Sequence, residues 1–555
     1  MEPSMKKYLP VNALPVICCS FLFLFINIFW SITSLGEAAE PEMPTLLYQN
    51  RDYTDQQIME LPLPIENNVS APGASPDIRD VSDPLRLSLF DAVGYTIQNN
   101  KDIQYFSYNP PQAIEDLAIA NSVYDASMFE SLLYNSTERP VENILDVGSE
   151  EGVLFEDTWT WQIGVKKPLP TGGMLSLYMD TNSLDSSSDA VIPNPQKTAR
   201  LTAQIRQSLL KEFGDQSNRA TIEIASLNIE ISTEEFRSQV SSVLENVATT
   251  YWQLFYDRGY EEIRRESLAM AEEVHRWEKT RLEQGIANPL DVDQAEAAVG
   301  TRKLALDLAG NKVRATMKYL HQIMGFPFID THNDTPDIIP IEAPRTEIIQ
   351  VSAKEALEKA LELRPEIISA QKTSESAEIK KKLARHKLLP QLDAKASYTL
   401  NSLDQSFDNA MDELFISDKN TWAVGLEFEY PLGNNKASAE YRKSVLGHKQ
   451  ALKDVVKTSE MIHLEVVLAV KDVSFWGQKV QSTREVQKTL EHLVEGKRTR
   501  FEISQIDNDE LLYSQNLLTD AKIQNLNAIV SYNLKLFELS KAEGTLLEYM
   551  GVTLQ

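Results

Sequence analysis

Hydrophobic positions recur with two different periods along this chain. In one tract Ile229, Phe236, Val240, Val243, Val247, Tyr251 and Leu254 step by 7, 4, 3, 4, 4 and 3 residues, the spacing of a coiled-coil seam. No proline occurs between Gln196 and Asn288, and none follows Pro431. The tracts are rich in Glu, Lys, Ala, Leu and Gln, so they predict long helices. A helix from Phe213 to Arg281 would run ~100 Å at ~1.5 Å per residue, too long for an ordinary globular domain. Shorter helices are expected over Leu290–Met324 and Ser352–Leu388. Stacked end to end, these two would match the unbroken helix in length, as antiparallel partners in a cylinder require.

The second period is two. Trp422, Val424, Leu426, Phe428 and Tyr430 share one face, and Ala423, Gly425, Glu427 and Glu429 the other. Leu392 to Leu400 alternates in the same way, with Asp393, Lys395, Ser397 and Thr399 on the polar side. Trp159, Trp161, Ile163 and Val165 form a third such row. The turn-like Pro168-Leu-Pro-Thr-Gly-Gly173 then leads to Leu175, Leu177 and Met179. Segments of about ten residues, apolar outward and polar inward with aromatic ends, suit a membrane β-barrel. A half-buried sheet in a soluble domain alternates similarly.

The chain also repeats itself. Leu87-Ser-Leu-Phe-Asp-Ala-Val93 aligns with Val351-Ser-Ala-Lys-Glu-Ala-Leu357 at a shift of 264 residues, which also pairs Asp102-Ile103 with Glu366-Ile367. Arg281-Leu-Glu283 aligns with Arg500-Phe-Glu502, and Asp291 with Glu510, at a shift of 219. Two similar modules follow, residues 85–324 and 351–555, joined by a loop-rich segment 325–350. The difference between the shifts, 45 residues, is extra chain in the first module between its first and its long helix.

Composition sets the compartment. Lys6 and Lys7 precede an apolar run from Ala13 to Ile32 and small residues at Ser34, Gly36 and Ala38, which makes residues 1–36 a signal peptide. An uncleaved anchor and a lipoprotein signal are the alternatives; Ile17, before the cysteines, fits the latter poorly. The only two cysteines, Cys18 and Cys19, lie inside this run. Cleavage would take the net charge from −27 to −28 and leave no thiol for a disulfide or metal site. Residues 37–84 are acidic, carry seven prolines and read as an extended lead. No other window of 18 apolar residues occurs, so further membrane insertion must use strands. The acidic balance, 54 Lys+Arg against 81 Asp+Glu, argues against a nucleic-acid partner. Seven scattered histidines, with no pair at i, i+4, and Gly496-Lys497 without an upstream phosphate-loop glycine give no enzyme, cofactor or metal signal.

From Leu85 to Leu554 the chain resembles the TolC-type outer-membrane factor (outer-membrane efflux protein) family. The resemblance rests on Leu87-Ser-Leu-Phe-Asp-Ala92, Asn99-Asn-Lys-Asp-Ile103, Tyr430-Pro-Leu-Gly433 and Arg281-Leu-Glu-Gln-Gly-Ile-Ala-Asn-Pro-Leu-Asp291, in that family's arrangement. It implies a mainly α protein with membrane β structure: a long α-helical coiled-coil barrel plus a transmembrane β-barrel shared by a homotrimer, with internal duplication. Family members usually contribute four strands per chain. The extra 45 residues would raise this to six, or form a hairpin outside the barrel. The implied function is a passive outer-membrane channel of a tripartite efflux pump in a Gram-negative bacterium, exporting small molecules through a periplasmic extension. Its partners would be outer-membrane lipid, a periplasmic adaptor and a proton- or ATP-driven inner-membrane pump. A type I protein-secretion duct is the neighbouring reading; an exported coiled-coil scaffold is the alternative from another class.

Two places carry that function. Helix-turn tips docking the adaptor would use Arg281, Gly285, Ile286 and Ala287, with Arg500, Ser504, Gln505 and Ile506 in the second module. Gly285 suits a turn of positive φ, whereas Ser504 in its place makes the two tips unequal. A periplasmic entrance would be ringed by Asp291, Glu510 and Tyr513, where three copies of a carboxylate favour cations. Asp291 and Glu510 equally suit helix N-termini, where acids oppose the dipole.

Overall fold

The chain divides into two units, Met1–Pro62 and Leu63–Gln555. The computed structural model describes residues 69–70, 84–141, 152–326, 336–416 and 418–554, all in the second. The signal peptide and nearly all of the acidic lead lie outside the described residues.

The helices are α1 (Leu89–Asn99), α2 (Lys101–Phe106), α3 (Asn109–Asn121), α4 (Ala220–Glu283), α5 (Pro289–Met324), α6 (Ala353–Leu363), α7 (Pro365–His386), α8 (Phe407–Ile416), α9 (Asn435–Glu502) and α10 (Asn508–Ala542). Six strands form one antiparallel sheet in chain order: β1 (Ser127–Pro140), β2 (Val153–Pro168), β3 (Gly173–Ser186), β4 (Gln196–Ser208), β5 (Gln391–Asp404) and β6 (Asn420–Glu429). Among the described residues no helix is long and apolar enough to cross a membrane. The scaffold alternative does not survive this sheet.

The duplication recurs in the element boundaries. Helices α1 and α6 coincide at both ends under the 264-residue shift. The 219-residue shift carries the end of α4 onto the end of α9, and the start of α5 onto the start of α10. It also maps the buried row Ala295, Arg302, Ala309, Val313 and Leu320 onto Ser514, Ala521, Ala528, Tyr532 and Leu539, all buried. Small residues every seventh place let neighbouring helices approach closely. The α4 seam is as expected: Val240, Val247, Tyr251 and Leu254 are buried, with Phe236 and Val243 packed against them.

Four expectations need correction. Residues 196–208 of the proline-free tract form β4, because Thr198, Arg200 and Thr202 alternate with Ala199, Leu201 and Ala203. The long helix then starts at Ala220, after Gly214 at φ +91°. The helix expected over Ser352–Leu388 is two, since Pro365 cannot donate and holds Arg364 extended at ψ 125°. Asn100 makes the same break in the first module, its side chain accepting from the amides of Asp102 and Ile103 at 2.9 and 3.0 Å.

The stacking also differs. Helix α5 does not continue into α6 and α7; it abuts the α1–α2 break of its own module. Asn100 Nδ2 donates to the Ile323 carbonyl at 2.6 Å, supplying one of the partners that a helix C-terminus lacks. Gly325, at φ +81°, sits so close that a Cβ would run into the Asn99 carbonyl. In the second module Gly544, at φ +78°, presses α10 against Leu363 and Arg364 in the same way. A left-handed glycine cap is what allows each helix end to enter the break. Beside it, Glu366 accepts from Ser238 Oγ at 2.8 Å and Arg364 Nε at 2.9 Å, while Arg364 Nη1 also meets Glu465 at 2.8 Å.

Strand β1 and helix α8 were not expected. In β1 Glu130 interrupts the apolar row, and its carboxylate accepts from Trp161 Nε1 at 2.9 Å. The ten residues of α8 cover part of β4 and β5 through Ala410, Met411 and Leu414.

Gly325→Ala, which combines positive φ with a backbone collision, should cost well over the ~1 kcal/mol of left-handed strain alone. Gly285→Ala, at φ +72° with no atom within 4 Å, should cost about that strain only. Thermal unfolding of both variants checks the order; equal losses would contradict it.

Candidate functional site: a two-faced sheet and paired helix tips

Residues directly opposite in an antiparallel pair share a face. The register carries Trp161, Ile163 and Val165 of β2 onto Thr181, Met179 and Leu177 of β3, and the last two onto Leu201 and Ala203 of β4. From there the row continues through Leu400 and Tyr398 of β5 to Trp422 of β6, followed along that strand by Val424, Leu426 and Phe428. The other face is polar and internally paired. Arg206 and Lys395 form ion pairs with Asp393 and Glu427, and Arg200 lies 3.7 Å from Asp180. Ser208 Oγ donates to Asp393 at 3.0 Å, and Thr202 and Thr399 hydroxyls meet at 3.0 Å. Thus one face suits hydrocarbon and the other an aqueous lumen.

Helices enter or leave the sheet at one end: α3 leads into β1, β4 leads out towards α4, α7 leads into β5 and β6 leads out to α9. The Leu169–Gly172 turn is at that end, where Thr171 accepts from the Gly214 amide at 3.1 Å. The opposite end carries Ser187–Pro195 and α8. Tyr134 and Trp159, with ring centroids 4.7 Å apart, lie near the middle of β1 and β2, as Tyr398, opposite Trp422, does in β5.

At the remote ends of the long helices the two turns have one backbone. The Gly285 amide donates to Leu282 O and the Ile286 amide to Arg281 O, at 2.9 and 2.8 Å. The Ser504 amide donates to Phe501 O and the Gln505 amide to Arg500 O, at the same two distances. Ser504 adopts φ +58° against +72° for Gly285, so the departure noted in the sequence is absorbed as local strain. The side chains diverge more. Gly285, Ile286, Arg500, Ser504 and Gln505 are exposed and Ala287 is half-buried. Ile506 is buried with Val274, Ala295, Phe501, Leu511 and Leu512. Arg281 turns inward, 3.0 Å from Glu278 and over the Phe501 ring at 5.5 Å. Burial pushes the Glu278 carboxyl above its ordinary value, and Arg281 only partly opposes this.

Asp291 closes a capping box: its carboxylate accepts from the Asn288 amide at 3.0 Å, and its carbonyl accepts from Asn508 Nδ2 at 2.9 Å. Glu510, in the first turn of α10, pairs with Lys497 Nζ at 3.2 Å, and Tyr513 is exposed. The tips are further joined by Gln294 donating to Asp509.

Arg302 was not singled out. It lies 7% exposed where α4, α5 and α10 meet, donating to Ser267 O at 2.7 Å, Gln515 Oε1 at 3.0 Å and Asn516 Oδ1 at 3.0 Å. No carboxylate forms an ion pair with it among the described residues. Burial, with Arg264 nearby, pulls the guanidinium down to about 10, so it stays charged at neutral pH. The missed signal is an arginine on a seven-residue seam, seven places from both Ala295 and Ala309.

Arg302→Leu should leave these acceptors unpaired and cost about 2–3 kcal/mol, read as a lower Tm; an unchanged Tm would show that these hydrogen bonds do not stabilise the fold. Ser504→Gly should raise stability by about 0.5–1 kcal/mol by relieving positive-φ strain, and Gly285→Ser should lower it; opposite signs would contradict the equivalence of the turns.

The sequence matches the outer membrane efflux protein family over residues 172–325 and 356–545. It is 24% identical over 324 residues to the outer membrane efflux protein BepC of Brucella suis, covering 56% of this chain and 66% of that relative. The fold is similar to the CmeC outer membrane channel of Campylobacter jejuni, with TM-score 0.59, 15% identity and 91% and 94% of the two chains covered. It is also similar to the outer membrane protein VceC of Vibrio cholerae, with TM-score 0.57, 14% identity and 82% and 96% covered. The two-faced sheet, the duplicated long helices and these matches lead to one conclusion: the chain belongs to the outer membrane efflux protein family and is an outer-membrane protein of the Gram-negative type.

Proposed function

We propose that three copies of this chain form a passive efflux duct. Their sheets close a barrel in the outer membrane, and their helices continue it as a tunnel through the periplasm. The turns at Gly285–Ile286 and Ser504–Gln505, with Ala287 and Arg500, dock a periplasmic adaptor that connects the duct to an inner-membrane pump. Asp291, Glu510 and Tyr513 stand at the entrance. Small-molecule export is the cargo class favoured over type I secretion, in keeping with the family's description. No reaction is catalysed; the pump supplies the energy.

The observation that carries this reading is the separation of faces from β2 through β6. A polar face whose charges are paired internally tolerates water without holding a permeating ion tightly. The apolar face needs lipid.

In planar bilayers the purified protein should conduct ions, with selectivity set at the tips. Glu510→Gln removes a carboxylate and frees the Lys497 ammonium, so cation preference should fall. Lys497→Gln should raise it. Protein that never conducts would overturn the duct, and selectivity unmoved by both substitutions would remove Glu510 from the entrance.

A further inference from the structure

Strands β1 and β6 are the two edges of the sheet, each bonded on one side only. All ten residues of β6 are exposed, with Trp422, Val424, Leu426 and Phe428 at 66–74%. On β1, Met128, Leu132 and Leu133 are 58–65% exposed. Neither edge is blunted in the usual ways: β6 contains no proline and no lysine, and β1 carries proline only at its last residue. In hydrocarbon each unpaired amide or carbonyl costs several kcal/mol, so both edges require a strand partner.

We propose that β6 of each chain pairs with β1 of the next, and that the trimer closes an eighteen-stranded barrel. This rests on the trimeric reading above and specifies its wall. Direction fits: β1 runs away from the helices and β6 runs back to them, so the seam is antiparallel like every pair within the sheet. Face fits as well: Tyr134, Leu132 and Met128 lie in the row of Trp159, Trp161 and Val165, which the register carries across to Trp422 and Val424. Height fits, since ten residues of β6 span roughly 33 Å and, tilted, an apolar band of about 25 Å.

The hairpin β2–β3 is the addition that makes this wall: the 264-residue shift lays β1 onto β5 at both ends, and the 219-residue shift lays Gly214 beyond β4 onto Gly433 beyond β6. Residues 153–186, which form it, lie between those two repeated strands and account for most of the 45 extra residues. Without β2 and β3, β1 would pair directly with β4 as β5 pairs with β6, and three copies would close twelve strands. In the chain itself both inserted strands are paired along both sides, between β1 and β4. At ~4.8 Å between strands and ~40° tilt, eighteen strands give a barrel roughly 36 Å across between backbones, against roughly 24 Å for twelve. The consequence is a wider outer-membrane exit than a four-strand contribution allows.

Cysteine pairs test the seam in the full chain, with Cys18 and Cys19 replaced by serine and the protein oxidised in its membrane. Met128→Cys, Leu132→Cys or Tyr134→Cys is combined with Val424→Cys, and Leu132→Cys with Ile205→Cys, which β2 and β3 hold apart, serves as the competing pair. At least one β1–β6 pair should yield covalent dimers and trimers, with the β1–β4 pair silent. A disulfide joining β1 to β4 within the chain would overturn the eighteen-strand wall while leaving the trimer intact. A chain that sediments as a monomer and cross-links nowhere would overturn the trimer itself. Strand counting in an electron-microscopy map of the purified oligomer is independent of any substitution: eighteen upholds the proposal and twelve ends it.

Discussion

A backbone amide in hydrocarbon has no water to bond, and this constraint organises the molecule. It forces the membrane part of the chain into strands, since no described helix could span, and it forces those strands to find partners at both edges. A six-stranded sheet with two open edges is therefore a fragment of a wall. The alternation of faces follows from the same requirement. Because the period is two, every residue turned from lipid is turned to the lumen, and there Asp393, Arg206, Lys395 and Glu427 neutralise one another.

Below the sheet the problem changes from unpaired backbone to packing over ~100 Å of helix. The chain solves it once and uses the solution twice. A heptad row of small residues brings α5 against α4 and α10 against α9, and a left-handed glycine lets each shorter helix end inside the break between two others. Departures from the repeat fall where the modules meet. Arg302 replaces an alanine of the other module's row, and its donors reach from α5 to Ser267 on α4 and to Gln515 and Asn516 on α10. Arg281 stacks on Phe501 of the opposite hairpin. These contacts tie the two hairpins together near the end proposed as the entrance.

Much of this was legible in the residues. Long seams, absent prolines and a self-alignment at two shifts located α5 and the end of α4 to within a few residues, and placed long helices after Pro431 with a turn between Arg500 and Glu510, where α9 gives way to α10. Trp422 to Tyr430 announced β6. What failed, failed for identifiable reasons. Strand β4 lies inside a proline-free tract and was absorbed into the neighbouring helical reading, although its polar residues alternate. Strand β1 was hidden because Glu130 sits on its apolar side, satisfied by an indole two residues from Trp159 that only the pairing reveals. The stacking of α5 was misjudged because summed lengths permit either neighbour; the deciding contacts are made by Asn100 and Gly325, whose meaning depends on tertiary placement. At the tips, Asp291 and Glu510 were readable as acids near helix starts, and the structure adds that one caps its own helix while the other pairs with Lys497.

The central claim is that the edge strands are closed by neighbouring copies. Amide hydrogen exchange on the detergent-solubilised or nanodisc-embedded protein addresses it directly. The account predicts that amides across Asn420–Glu429 and Ser127–Pro140 are protected as strongly as those of the interior strand Gln196–Ser208. Alternate amides along either edge exchanging within seconds, beside a protected interior, would show an edge left open and contradict it.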